Sequence, residues 1–319
     1  MALTVNNELL ELKNVFKVQI SKSLNVPTAD LEASFLFNEK IDEIKSIEVY
    51  EDNEMIFDGI VDTQSVELDD NGSLFTVEAR SKAAILLDNE ALPQIYYRPS
   101  LFTIFNRHVK PYGFKSFVGD DKAFSNEFVV SKGMSEWEVV ESFCWDYLKI
   151  YPRITLDGTL NAGSSLKESS KEIIFSNIQD NAIRYSSIIQ SNKRCKVYSD
   201  VIVKGTNELN YKLKIENEDG KNRGIKRVRY LNVSDSLKTP ASYADLLISN
   251  GNSESFEVTL SCPGSIFVDV GDVAKVNDYT LGEVKNLKVV KTKYILNEHG
   301  ERTDIVLQRS GIWCGCQMK

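Results

Sequence analysis

A strand-and-turn pattern occurs twice in this chain, once near each end, and both copies close in the same way. The first runs Ile47-Glu48-Val49-Tyr50-Glu51-Asp52-Asn53-Glu54-Met55-Ile56-Phe57-Asp58-Gly59-Ile60-Val61, turns at Asp70-Asn71-Gly72 and ends on Phe75-Thr76-Val77-Glu78-Ala79-Arg80-Ser81. The second runs Val273-Ala274-Lys275-Val276-Asn277-Asp278-Tyr279-Thr280-Leu281-Gly282-Glu283-Val284, turns at Asn297-Glu298-His299-Gly300 and ends on Asp304-Ile305-Val306-Leu307-Gln308-Arg309-Ser310. Each copy predicts a strand, a short polar turn, a strand carrying Gly-Ile-Val or Gly-x-Val, a long strand, a second turn and a closing strand. A chain that uses one β-unit twice is constrained to internal pseudo-symmetry, and its function then rests on geometry. On this reading Gly59 and Gly282 should occupy equivalent places.

The remaining segments fit around these two copies. Phe16–Ser21 and Leu31–Phe37 alternate apolar and polar side chains, as half-buried strands do, and Asn25-Val26-Pro27-Thr28 separates them. With the first copy they make five or six strands before residue 82, enough for a small barrel or sandwich. Residues 81–87 read as a short helical connector. From Pro99 the period changes to that of a helix, with Leu101, Ile104, Phe105 and Val109 on one face and Pro111 and Gly113 ending it. Ser135-Glu136-Trp137-Glu138 fits a capping box, with Met134 and Val139 placed for a hydrophobic staple. Trp137, Val140, Cys144, Tyr147 and Leu148 then form one apolar face. Asp157-Gly158 predicts a hairpin turn, residues 163–171 an exposed loop, Ile183–Ile189 and Lys196–Lys204 strands, and Ala241–Ser249 a helix. The fold class expected is mainly β with an α/β insert. The expected division is 1–95, an N-terminal β-barrel; 96–205, a middle region with helices near 100–110 and 135–149; and 206–319, a C-terminal β-barrel.

A chain of 319 residues is long enough for two to four domains. No apolar run approaches the roughly 20 residues that span a bilayer. The first residues, Met1-Ala2-Leu3-Thr4-Val5-Asn6-Asn7-Glu8, carry neither a basic nor an apolar leader segment, so no signal peptide is expected and synthesis in the cytoplasm is. Five cysteines (Cys144, Cys195, Cys262, Cys314, Cys316) are scattered and odd in number, which argues against a disulfide framework. Cys314-Gly315-Cys316 lacks the partner pair that a structural zinc site needs. The net charge of −8 is uneven: residues 1–95 hold 19 acidic and 7 basic side chains, and residues 96–319 hold 27 and 31. A one-signed field repels polyanions and attracts basic surfaces; it also serves simple solubility.

Catalytic signatures are missing. No GxGxxG, P-loop, HExxH or GxSxG stretch occurs. The two histidines, His108 in a predicted helix and His299 in a predicted turn, make a histidine acid–base pair hard to assemble. Among 46 acidic residues nothing marks the two carboxylates a glycosidase needs. No catalytic, cofactor-binding or metal-binding residue is therefore assigned, and no cofactor is expected. Lys221, Arg223, Lys226, Arg227 and Arg229 form a basic run, but the chain is acidic overall and the run lacks interleaved aromatics apart from Tyr230. A solvated loop, or a contact with an acidic protein surface, fits better than nucleic acid.

The order of segments resembles the baseplate central hub proteins of contractile phage tails and phage-tail-like bacteriocins, of the Mu-like hub or late-control-protein type. The resemblance rests on Val49-Tyr50-Glu51 with Ile56–Asp62, then Val77–Lys82, Gly133-Met134-Ser135 before the capped helix, Leu156–Leu160 after it, and Gly271-Asp272-Val273 opening the terminal hairpins. It covers roughly residues 15–310. It implies a virion structural protein, not an enzyme. Two tail-tube-like barrels per chain in a homotrimer would present six similar units to a six-fold tail tube and a three-fold face to a central spike. Such a symmetry adaptor has itself, the spike, the tube and other baseplate proteins as partners, inserts in no membrane, and forms part of a channel through which phage DNA passes. Glu48, Asp52, Glu54 and Asp58 would face that channel or a neighbour. The resemblance offers no role for Cys314 and Cys316. Two other classes remain open: a tail-associated cell-wall hydrolase, which would turn over peptidoglycan, and a carbohydrate-binding β-protein, which would hold a sugar tightly.

Overall fold

The computed structural model describes residues 2–5, 8–12, 15–37, 40–70, 72–148, 150–163, 172–204, 210–232 and 240–310. Cys314, Cys316, Asn71 and nearly all of the loop expected at 163–171 lie outside these residues. The first unit is built from β1 (Ala2–Val5), β2 (Glu8–Glu11), β3 (Lys17–Ser23), β4 (Ala29–Leu36), β5 (Ile44–Glu51), β6 (Glu54–Asp69) and β7 (Gly72–Ser81). They pair antiparallel in the order β3-β4-β7-β6-β5-β1-β2. Alternation puts Val18, Ile20, Leu31, Ala33, Phe35, Ile47, Val49, Phe57, Phe75 and Val77 inside one core. Asp52 and Asn53 both adopt positive φ (47° and 67°), which lets a two-residue turn follow the right-handed twist of β5 and β6.

A helix-containing module follows: α1 (Ala84–Asp88), β8 (Gln94–Tyr96), α2 (Leu101–His108), β9 (Ser116–Gly119), β10 (Phe128–Val130), α3 (Glu136–Phe143), β11 (Arg153–Ile154) and β12 (Thr159–Ala162). It has its own core, in which Leu101, Ile104, Trp137, Val140, Phe143 and Leu160 meet. The capping box forms as the sequence predicts. Ser135 Oγ accepts from the Glu138 amide at 3.1 Å, and Glu138 Oε2 accepts from the Ser135 amide at 2.7 Å. Replacing Ser135 with Ala should therefore cost about 1 kcal/mol, read as a lower urea midpoint; an unchanged midpoint would mean the cap contributes nothing.

The second unit contains β13 (Ile173–Ser176), β14 (Ser187–Asn192), then, after an excursion, β18 (Phe256–Pro263), β19 (Val273–Asp278), β20 (Gly282–Asn297) and β21 (Gly300–Arg309). The excursion is a small α/β body: β15 (Asp200–Lys204), β16 (Leu213–Glu216), α4 (Glu218–Asn222), β17 (Val228–Asn232) and α5 (Pro240–Glu254). Its core is Val201 and Val203 against Ala244 and Ile248. The part of the basic run expected as a loop instead continues into β17, which pairs in parallel with β15. The architecture is mainly β, with two barrel-like β-units and helix-containing α/β segments between their strands.

The two units match strand for strand. The order β3-β4-β7-β6-β5 in the first reappears as β14-β18-β21-β20-β19 in the second. β6 and β20 are both 16 residues long, β7 and β21 both 10, and β4 and β18 both 8. Register is preserved as well as order. Lys17 opposes Ser34 where Ser187 opposes Ser261, Asp30 opposes Arg80 where Glu257 opposes Gln308, and Asp69 opposes Gly72 where Asn297 opposes Gly300. Even the irregularity coincides: pairing shifts between Val61 and Thr63 in β6 and between Val289 and Lys291 in β20. The same frame corrects one expectation. Gly59 matches Leu287, and Gly282 matches Glu54, so the two glycines are not equivalent.

Candidate assembly surface

The two units are joined by main chain. The first half of β20 pairs with β19, and beyond the bulge its second half takes β3 on the same edge, from Lys291 opposite Ser23 to Leu296 opposite Val18. The result is a single 13-stranded sheet. Tyr294 and Leu296 leave their own unit and pack on the first unit's core beside Ile20 and Val18. Leu24 donates its amide to the Val290 carbonyl at 2.9 Å, and Gly271 donates to Val289 at 2.7 Å, closing the backbone around the bulge. Each such bond contributes about 1 kcal/mol net, and an unpaired one in this half-buried place would cost more.

Side chains tie the helix-containing module to the joint. Arg153 of β11 donates to the Val270 carbonyl and sits 3.6 Å from Asp269, which Lys22 of β3 also approaches at 3.6 Å. Arg80 of β7 grips Asp62 through two bonds (2.7 and 2.9 Å) and Asp88 of α1 through two more (3.0 and 2.9 Å). The guanidinium holds the Asp62 carboxyl below its ordinary range. One contact works the other way. Glu51, at the end of β5, lies against Glu301 of β21, whose Oε1 accepts from Tyr294 at 2.5 Å; burial first, and then Glu301, push the Glu51 carboxyl up. A raised carboxyl stabilises the fold below its unfolded pKa, and that contribution is lost as pH rises through the folded one. Glu51→Gln should therefore raise the melting temperature at pH 7 and leave it unchanged near pH 4. An equal shift at both would contradict the carboxylate contact.

The four acidic residues singled out from sequence lie together on the β5–β6 hairpin. Glu48 and Asp58 are opposite each other, on the face turned away from Ile47, Val49 and Phe57. Tyr50 donates to Glu48 at 2.7 Å and Lys82 to Asp58 at 2.5 Å, while Asp52 and Glu54 stand exposed at the turn.

Reactive chemistry is sparse. Among the described residues no group of three His, Cys, Asp or Glu side chains is placed to hold a metal ion. A cleft of about 520 Å³ opens where the first unit meets the module, lined by Lys22, Phe57, Asp58, Lys82, Arg153 and Asp269. Its cations are already engaged, Lys22 and Arg153 with Asp269 and Lys82 with Asp58. Three members of the basic run are engaged too: Lys221 with Glu216 at 2.5 Å, Arg223 with Ser255 at 2.9 Å and Arg227 with the Cys195 carbonyl. Of the cysteines, Cys144 and Cys262 are buried and Cys195 is exposed; burial pushes the Cys262 thiol up to about 11.

Sequence reasoning missed a buried polar chain around His108. Its Nδ1 lies 2.5 Å from Glu136 Oε2 and its Nε2 2.8 Å from the Tyr96 hydroxyl, while Tyr112 donates to Glu136 Oε1 at 2.9 Å. A carboxylate only accepts, so Nδ1 carries the proton and Nε2 accepts from Tyr96. His108 is 2% exposed, which makes the chain a pin between α2 and α3 rather than a reaction centre. Nothing in the sequence links residues 28 positions apart.

The sequence matches no protein-family model and no curated protein. Solved structures do match it. A tail protein from Neisseria meningitidis MC58 has a TM-score of 0.77 at 15% identity, over 98% of this chain and 97% of that one. The 43 kDa tail protein of prophage MuSo2 from Shewanella oneidensis has a TM-score of 0.76 at 15% identity, over 97% and 98%. The E. coli c3393 protein, a type VI secretion component described as structurally similar to the T4 bacteriophage tail proteins gp27 and gp5, has a TM-score of 0.57 at 8% identity, over 92% and 73%. From end to end, the chain has the fold of phage tail proteins.

Proposed function

We propose that this protein is the central hub of a contractile injection tail, a homotrimer joining the six-fold tail tube to the three-fold spike. The observation that carries the reading is the internal repeat. Two units that share strand order, the register of their central strands and the bulge in β6 and β20 give six matching units in three chains, and a trimer then meets a six-fold tube without a symmetry mismatch. The end-to-end likeness to tail proteins supports the same reading. Residues 1–95 supply one tube-like unit, and residues 206–319 complete the other together with β13 and β14 from the middle region. The six units surround a channel, and the exposed acidic turn at Asp52 and Glu54 lines it, while Asp58 is held by Lys82 in the cleft against the helix-containing module. Like-charge repulsion there keeps passing DNA from adhering. The protein catalyses nothing and needs no cofactor.

Light scattering of the purified chain should give the mass of three chains, and cryo-electron microscopy of the particle should place six units in one ring about an open bore. A single chain inside the particle overturns the hub; a basic or closed bore leaves the hub and removes DNA passage. Zymography against peptidoglycan should show no clearing. Clearing that one carboxylate substitution abolishes would favour a hydrolase.

A further inference from the structure

The repeat predicts more than the number of units. Within the chain, the second half of β20 takes β3 as a neighbour. The matching half of β6 is Thr63–Leu68, and the strand matching β3 is β14. Among the described residues no strand pairs with that edge of β6 or with the outer edge of β14. Gln64 turns its side chain back to the Ile44 amide at 3.0 Å, and beyond it the edge runs open.

We infer that Thr63–Leu68 of one copy pairs antiparallel with β14 of a second copy, repeating between chains the joint that β20 and β3 make within one. The repeat fixes the register. Leu296 opposite Val18 becomes Leu68 opposite Ile188, Tyr294 opposite Ile20 becomes Val66 opposite Gln190, and Lys293 opposite Ser21 becomes Ser65 opposite Ser191.

Two observations agree with that occupant. Val66 and Leu68 are 47% and 74% exposed, although the side chains they match, Tyr294 and Leu296, pack on a core. An open strand edge bearing apolar side chains is a template for another chain unless it is covered. Charge agrees as well. The contact joins the first unit of one copy to the second unit of the next, and so the acidic residues 1–95 to a portion of the chain whose acidic and basic residues number 27 and 31. The contact is head-to-tail, using different surfaces on the two copies, so it generates a ring when its rotation closes. Closure at three chains rests on the hub reading; the pairing itself does not.

The test is a disulfide across the inferred strand pair. S65C and S191C are introduced together into the full chain, with Cys195, Cys314 and Cys316 changed to Ser and native folding checked by circular dichroism. Opposed residues in neighbouring strands lie within disulfide reach, whereas a pair four residues out of register does not. Oxidation should link the chains into a ladder ending at three, with a yield at least about tenfold above that of the S65C and S187C pair. A three-chain mass without the S65C–S191C bond overturns the pairing alone. Bonding that runs on into open polymers supports the pairing and overturns the trimeric hub. A single-chain mass with no bond overturns the pairing, and a chain that is single inside the particle as well overturns the hub.

Discussion

Gly59→Val should destabilise the first unit by about 3 kcal/mol, visible as a large drop in the urea midpoint. A side chain at this position would meet the Arg80 carbonyl oxygen and the edge of the Phe57 ring inside van der Waals contact. Neither can give way. Phe57 is fully enclosed by the first core, and Arg80 is held in the ladder opposite Ile60 while its guanidinium grips Asp62 and Asp88. The strand pair would have to separate just where β6 passes from β5 to β7. Gly282→Val makes the contrast. Nothing lies within 4 Å of a Cβ there, and the cost comes from its positive φ of 70°, about 1 kcal/mol. Equal losses for the two variants would mean that the close approach at Gly59 is not present in solution.

His108→Ala should cost a similar amount, about 3 kcal/mol, because it empties a buried site and leaves Glu136 and Tyr96 each without a bond they now make. His108→Gln separates packing from titration. Burial lowers the His108 pKa, against the pull of Glu136, so the folded protein favours the neutral ring. Stability from this source is present above the unfolded value of 6.5 and is lost as pH falls toward the depressed folded value. Wild-type stability should therefore decline between pH 7 and pH 5 more steeply than that of His108→Gln. Parallel pH profiles would show that His108 is not buried neutral.

What the sequence disclosed was local. The β5–β6 turn, the alternation in β4 and the capping box at Ser135 are written in adjacent residues, and all three formed. The helix at Ala241–Ser249 formed too, extended to Pro240–Glu254. The repeat is visible at both ends, but its glycines mark the wrong frame. Gly59 is small because a neighbouring strand crowds it, and Gly282 because its backbone is left-handed. The same residue type answers two unrelated demands, so it carries no positional information here. The His108–Glu136 pair and the edge shared by β19 and β3 were invisible for a different reason. Both depend on contacts between distant segments, and main-chain pairing leaves no residue signature.

The α/β body between β14 and β18 is enclosed by a single strand pair. Asn192 opposes Phe256, so the chain leaves and re-enters the sheet at facing positions. In the first unit the same place, Lys22 opposite Ala29, is bridged by a short turn. The protein thus carries a natural graft: one hairpin tip left plain, its twin opened to hold a body with its own core. A tip of this kind is a port. A different domain could be spliced between Asn192 and Phe256, or the present one replaced by the turn from the first unit, without breaking a rung of the ladder on either side. Outfitting one scaffold for different targets would then be a matter of exchanging what hangs from that tip.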